Sequence, residues 1–127
     1  MSKATIPEDL RRFVLTSVPS VPFLEALLLL RADPHHAWQP ESLARRLYIR
    51  ERTAHGLLDD LCTAGMALRA ASGDYSYQPE SPELGGLIDR LAELYAARLV
   101  DVTNLIHSSL DRKAQQFADA FKWRKDS

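Results

Sequence analysis

One cysteine, Cys62, in 127 residues excludes an internal disulfide and any Cys-x-x-Cys metal or redox motif. Long apolar runs are missing too. The longest uninterrupted one is Ala26–Leu30, far short of the roughly 20 residues needed to span a bilayer. Met1 to Pro7 has no apolar core, so no secretory signal is expected. Neither sign of charge dominates: 16 Lys+Arg against 17 Asp+Glu leave a formal net charge of −1. That balance excludes a strongly basic nucleic-acid coat and a disordered acidic tail. Catalytic signatures are also lacking, with no Gly-rich phosphate loop, His-Glu-x-x-His or Gly-x-Ser-x-Gly. His35 and His36 are adjacent, so they point apart, and no third ligand stands at metal spacing. The expectation is a protein of the cytoplasm with no stable membrane insertion, no metal, no cofactor and no catalytic residue.

What is present is helical periodicity cut by proline. Pro7, Glu8 and Asp9 open a helix to about Thr16, with Leu10, Phe13 and Val14 on one face. The doubled Ser-Val-Pro of Ser17–Pro22 reads as a stiff extended connector. From Pro22 to about Ala32 the chain has almost no polar face, which marks a helix buried on several sides. Asp33-Pro34 stops it. A third helix is expected from Pro40 to near Tyr48, and a fourth from Glu51 to about Ala64, with Gly65 as its C-terminal cap. Two short alternating runs, 66–71 and 75–79, flank Ser72-Gly73-Asp74 and predict a β-hairpin with Tyr75 and Tyr77 on one face.

The order helix, helix, short turn, helix, hairpin over residues 22–79 resembles the winged helix-turn-helix domain of bacterial transcriptional regulators. The residues that carry the resemblance are Leu43-Ala44, Leu47, Ile49, Thr53-Ala54, Leu58, Leu61, Gly65 and Met66. They are packing residues: Ala44 lets two helices cross closely and the leucines close the core. The fold it implies is mainly α, three helices plus a β-hairpin wing, with an extra N-terminal helix and a long C-terminal helix. The resemblance implies a recognition helix at Glu51–Ala64 whose first half faces the DNA major groove. Arg50, Arg52, Thr53 and His55, with Gly56 beside them, are then the outward residues that read bases. Arg45 and Arg46 are implied as phosphate contacts and Arg69 as a wing contact. The segment 22–79 carries six basic and seven acidic side chains, a net charge of −1 that counts against DNA binding, whose affinity comes largely from neutralised phosphates.

Ser81-Pro82-Glu83 opens a last, long helix. Leu84, Leu87, Ile88, Leu91, Leu94, Tyr95, Leu99, Val102, Leu105 and Ile106 sustain an apolar stripe, continued by Leu110, with no proline inside it. An unbroken helix to Leu110 would be about 43 Å long, more than a body with a radius of gyration of about 12 Å can cover. Pairing of two such helices in a homodimer is therefore expected, with folding back over the body, broken near Asn104, as the competing arrangement. Four segments follow: 1–21 helix and connector, 22–79 winged domain, 80–111 dimerisation helix and 112–127 tail. In the tail Ala114, Phe117, Ala118 and Phe121 share a side, and Lys122-Trp123-Arg124-Lys125 end it; the segment is expected to pack back onto the dimer, with docking to a protein partner or a membrane surface as the alternatives. The functional expectation is a homodimeric regulator on double-stranded DNA. The alternative is a winged-helix interaction module that recruits a protein partner through the long helix and tail without binding DNA.

Overall fold

A computed structural model describes residues 6–126, and the side chains of 6–120. The protein is mainly helical, with six helices and one two-stranded antiparallel sheet among the described residues. The helices are α1 Glu8–Ser17, α2 Val21–Ala32, α3 Pro40–Leu47, α4 Glu51–Thr63, α5 Pro82–Ala97 and α6 Leu99–Asp126. The strands are β1 Ala67–Arg69 and β2 Tyr75–Tyr77.

Local chemistry explains most boundaries. Ser20 accepts the Phe23 N–H at 3.2 Å and caps α2, and Ser81 does the same for Leu84 at 3.1 Å at the start of α5. The connector is shorter than expected: Val21 and Pro22 belong to α2, leaving three residues between it and α1. α1 and α2 meet at 108° across this link, and Val18 in the link is buried. No single described helix is long and apolar enough to cross a membrane. Gly65, at φ 77°, closes α4 in the left-handed conformation. Its N–H donates to the Cys62 carbonyl while the Met66 N–H donates to Leu61, satisfying two carbonyls at the helix end.

The hairpin pairs Ala67 with Tyr77, Leu68 with Ser76 and Arg69 with Tyr75. Trp38 adds a bridge that the sequence reading did not foresee. Its N–H and carbonyl exchange hydrogen bonds with Tyr75 at 2.7 and 2.8 Å. The segment between α2 and α3 is thereby tied to β2, which anchors the hairpin against the helices.

The core gathers Phe23, Leu24, Leu27 and Leu30 of α2, Leu43 of α3, Leu58 and Leu61 of α4, and Trp38, Met66 and Tyr75. Leu10, Phe13 and Val14 of α1 extend it toward α5 and α6. α2 is central but not enclosed, since Leu28 and Leu29 are only half-buried and Glu25 is exposed.

The long helix is not continuous. It breaks at Arg98 (φ −138°, ψ 55°), where neither proline nor glycine stands. The Arg98 N–H still donates to Leu94, its carbonyl accepts from Val102, and its Nε donates to Asp101 at 2.7 Å. One residue thus ends α5 and starts α6, and its side chain holds the acidic first turn of α6. The break brings α6 against α1, which also packs on α5. The expected dimerisation stripe is corrected accordingly. Ile88, Leu91, Val102 and Ile106 are fully buried within one chain. Leu84, Leu87, Leu94, Tyr95 and Leu105 are half-buried against the same core, while Leu99 and Leu110 are exposed. Four of the ten stripe residues are thus covered completely within one chain. Nor is there a boundary between residues 111 and 112, because α6 runs through it.

Candidate nucleic-acid interface

The α3–turn–α4 unit is built on alternating inward and outward residues. Leu43 and Ala44 of α3 face Ala54, Leu57, Leu58 and Leu61 of α4 in the interior. Everything else at the start of α4 then faces out: Arg50, Glu51, Arg52, Thr53, His55 and Gly56 are all exposed. Arg50 is the N-cap of α4 and offers no side-chain cap bond. Among the described residues neither Arg50 nor Arg52 makes an ion pair, so both guanidinium groups are available to an external anion.

The other sequence-predicted residues have internal neighbours. Arg45 lies 3.9 Å from Glu41 in an exposed helical pair, an interaction of at most about 1 kcal/mol. Arg46 lies over the Trp38 ring at 5.8 Å, a cation–π contact. His55 Nε2 is 3.6 Å from Asp59. Arg69 lies over the Tyr75 ring at 5.5 Å, and the Tyr75 hydroxyl donates to Asp59 at 2.7 Å. These contacts link the hairpin to α4 through Tyr75 and Asp59. Burial, with the Asp59 carboxylate beside it, pushes the Tyr75 phenol above its ordinary value, so the hydroxyl remains a donor. Arg50, Arg52, Thr53 and His55 are therefore all exposed around the start of α4, Arg46 joins the Trp38 side, and Arg69 belongs with the hairpin.

Two outward features carry a local cost. Tyr48, between α3 and α4, adopts φ 57° and is the one described non-glycine residue with positive φ. Such a conformation costs on the order of 1–3 kcal/mol in a side chain of this kind. Its ring is nonetheless 94% exposed, so packing within the chain does not offset the strain. Sequence reading passed over Tyr48, although a helix end with neither Gly nor Asn at the turn was the available signal. Gly56 is the second feature. A Cβ placed there meets nothing within 4 Å, so no close internal approach requires glycine inside α4.

The Cys62 thiol is pushed up by burial and by Asp59, away from the thiolate that reactivity needs. Among the described residues no three His, Cys, Asp or Glu side chains are placed to hold a metal ion. No protein-family model matches the chain, and no curated protein matches it.

Proposed function

We propose that the protein is a DNA-binding transcriptional regulator of winged helix-turn-helix type. In this reading α4 is the recognition helix and the β1–β2 hairpin is the wing. The observation that carries the proposal is a local concentration of cationic, exposed side chains. Four of the six basic residues between 22 and 79 are Arg45, Arg46, Arg50 and Arg52, and Arg50 and Arg52 flank the first residue of α4. The order α2, α3, turn, α4, hairpin supports the reading, as does the Trp38 bridge that anchors the hairpin. Arg50, Arg52, Thr53 and His55 face base edges, and Arg45 and Arg69 face phosphate. Gly56 lets the duplex approach the α4 backbone. A homodimer sets two such helices on neighbouring half-sites.

The test is a duplex-library binding titration at several salt concentrations. Affinity should fall steeply with salt. Arg52→Ala should weaken binding by about 1–3 kcal/mol if it contacts a base, or lower the salt slope by about one if it contacts phosphate. Gly56→Ala should raise fold stability by roughly 0.5–1 kcal/mol while weakening binding. No salt-dependent binding at any concentration would overturn the proposal. It would favour the alternative, a protein-interaction module without DNA binding, for which the even charge of 22–79 and the exposed Phe117 of α6 speak. The Phe121, Lys122, Trp123, Arg124 and Lys125 side chains on which that alternative also draws lie outside the described residues.

A further inference from the structure

Helix α2 is apolar on nearly every side, yet one side is left open. Leu28 and Leu29 floor a groove of about 440 Å³, walled by Tyr95 of α5 and by Tyr48 at the α3–α4 turn. The two ends of the groove carry opposite charges. Glu25 lines it one turn before the leucines, toward the α2 N-terminus. Arg46 lines it too, and also borders the adjoining hollow formed by Ala32 and Asp33, so it stands toward the α2 C-terminus. Glu25 and Ala32 are about 10 Å apart along the helix axis. Neither Glu25 nor Arg46 makes a salt bridge among the described residues.

An apolar patch with an anion at one end and a cation at the other is complementary to itself across a two-fold axis. Residue i meets residue j, and j meets i. Beside the groove stands a knob of suitable kind, since tyrosine is among the residue types that anchor interfaces. The Tyr48 ring is almost wholly exposed, and its backbone is preset. The Tyr48 and Ile49 N–H groups both donate to the Ala44 carbonyl and hold the left-handed turn. Ordering cost on association is correspondingly low. A second copy of the chain supplies the aromatic knob, the cation and the anion together, in the antiparallel order the groove requires.

We propose that this groove is a homodimer interface. Tyr48 of each copy seats on Leu28, Leu29 and Tyr95 of the other, and Glu25 of each pairs with Arg46 of the other. The contact lies beside the α3–α4 turn instead of on α5 and α6, and it does not depend on nucleic-acid binding.

Sedimentation equilibrium of the full chain, without DNA and over about 1–200 µM, tests it. The wild type should dimerise in the micromolar range. Tyr48→Glu, Glu25→Arg and Arg46→Glu should each weaken the dimer by about tenfold or more, and the double variant Glu25→Arg/Arg46→Glu should recover to within about threefold of wild type. Tyr48→Gly, which relieves the positive φ, should melt no lower than wild type and still lose the dimer. Three results would overturn the proposal: a wild type monomeric throughout, a dimer indifferent to the single substitutions, or a double variant no tighter than the singles. A groove that takes a small amphipathic molecule or another protein would give the first of these. A failure here leaves the DNA titration untouched, because oligomeric state is read with no duplex present.

Discussion

The two halves of α6 carry one apolar stripe and meet opposite fates. In the first half Val102 and Ile106 are fully buried, and Leu105 is half-buried. In the second, Leu110, Ala114, Phe117 and Ala118 continue the spacing, yet residues 110–120 are all exposed and Phe117 is 74% open. Periodicity therefore says which face of a helix is apolar and not what covers it. Cover comes from α1 and the link after it, whose Leu10, Phe13, Val14 and Val18 are buried together with the first half. α1 is ten residues long and stops at Ser17, near Lys113 of α6, so nothing in the described chain follows α6 beyond that level.

Removing the cover should break the distinction outright. Deleting residues 1–18 takes away four buried side chains, each worth about 1.5–3 kcal/mol of transfer free energy. The sum is comparable to the whole stability of a small domain, about 5–15 kcal/mol. The expected outcome is loss of the cooperative thermal transition and binding of an apolar dye. A truncated chain that melts as cooperatively as the full one would mean that α5 and α6 do not depend on α1. Ile106→Ala is the smaller version of the same test. It leaves a cavity among Ile88, Leu91 and Val102 and should cost about 2–5 kcal/mol in denaturant unfolding.

Much of the core was legible in the sequence because capping and turn chemistry are local. Pro7, Pro40, Ser81-Pro82 and Gly65 mark helix ends that the structure keeps to within a residue or two, and Ser72-Gly73 falls in the hairpin turn. The apolar run of α2 announced a central helix. What the sequence did not announce was non-local or lacked a recognised breaker. The bend falls at Arg98, where no proline or glycine stands, and is accompanied by a side-chain bond to Asp101. Trp38 pairs with Tyr75 from 37 residues away, through backbone groups that every residue possesses. At the candidate interface the outward arginines of α4 could be named from helical spacing alone. The diversion of Arg46 to Trp38, and of Arg69 to Tyr75, could not, since each needs a partner brought in by tertiary packing.

An ion pair ties the covering helix to the layer it covers. Arg90 of α5 donates two hydrogen bonds to Asp9 of α1. That contact holds the Asp9 carboxyl below its ordinary value of 3.8. A carboxyl depressed in the folded state adds stability above its unfolded value, and that stability is lost as pH falls through the folded value. The melting temperature of Asp9→Asn should therefore lie slightly below wild type at neutral pH, with the gap closing below about pH 4. Both side chains are about half-exposed, so the gap should also shrink in high salt. A gap that persists at acid pH would mean that Asp9 acts through packing and not through its charge.

The smallest effect belongs to the uncovered half of α6, and it sharpens the comparison because the residue is as apolar as any in the core. Phe117→Ser removes a ring that the chain leaves in water, so no buried area is lost and no cavity forms. Monomer stability should stay within about 0.5 kcal/mol of wild type. The same Phe→Ser change at Phe13, in the buried face of α1, should cost several kcal/mol by cavity formation and loss of burial. If Phe117→Ser instead destabilises the chain at concentrations where it is monomeric, the second half of α6 must pack against the body in solution. If it destabilises only where the dimer is populated, α6 lies within the assembly, and the α2 groove is not its sole contact.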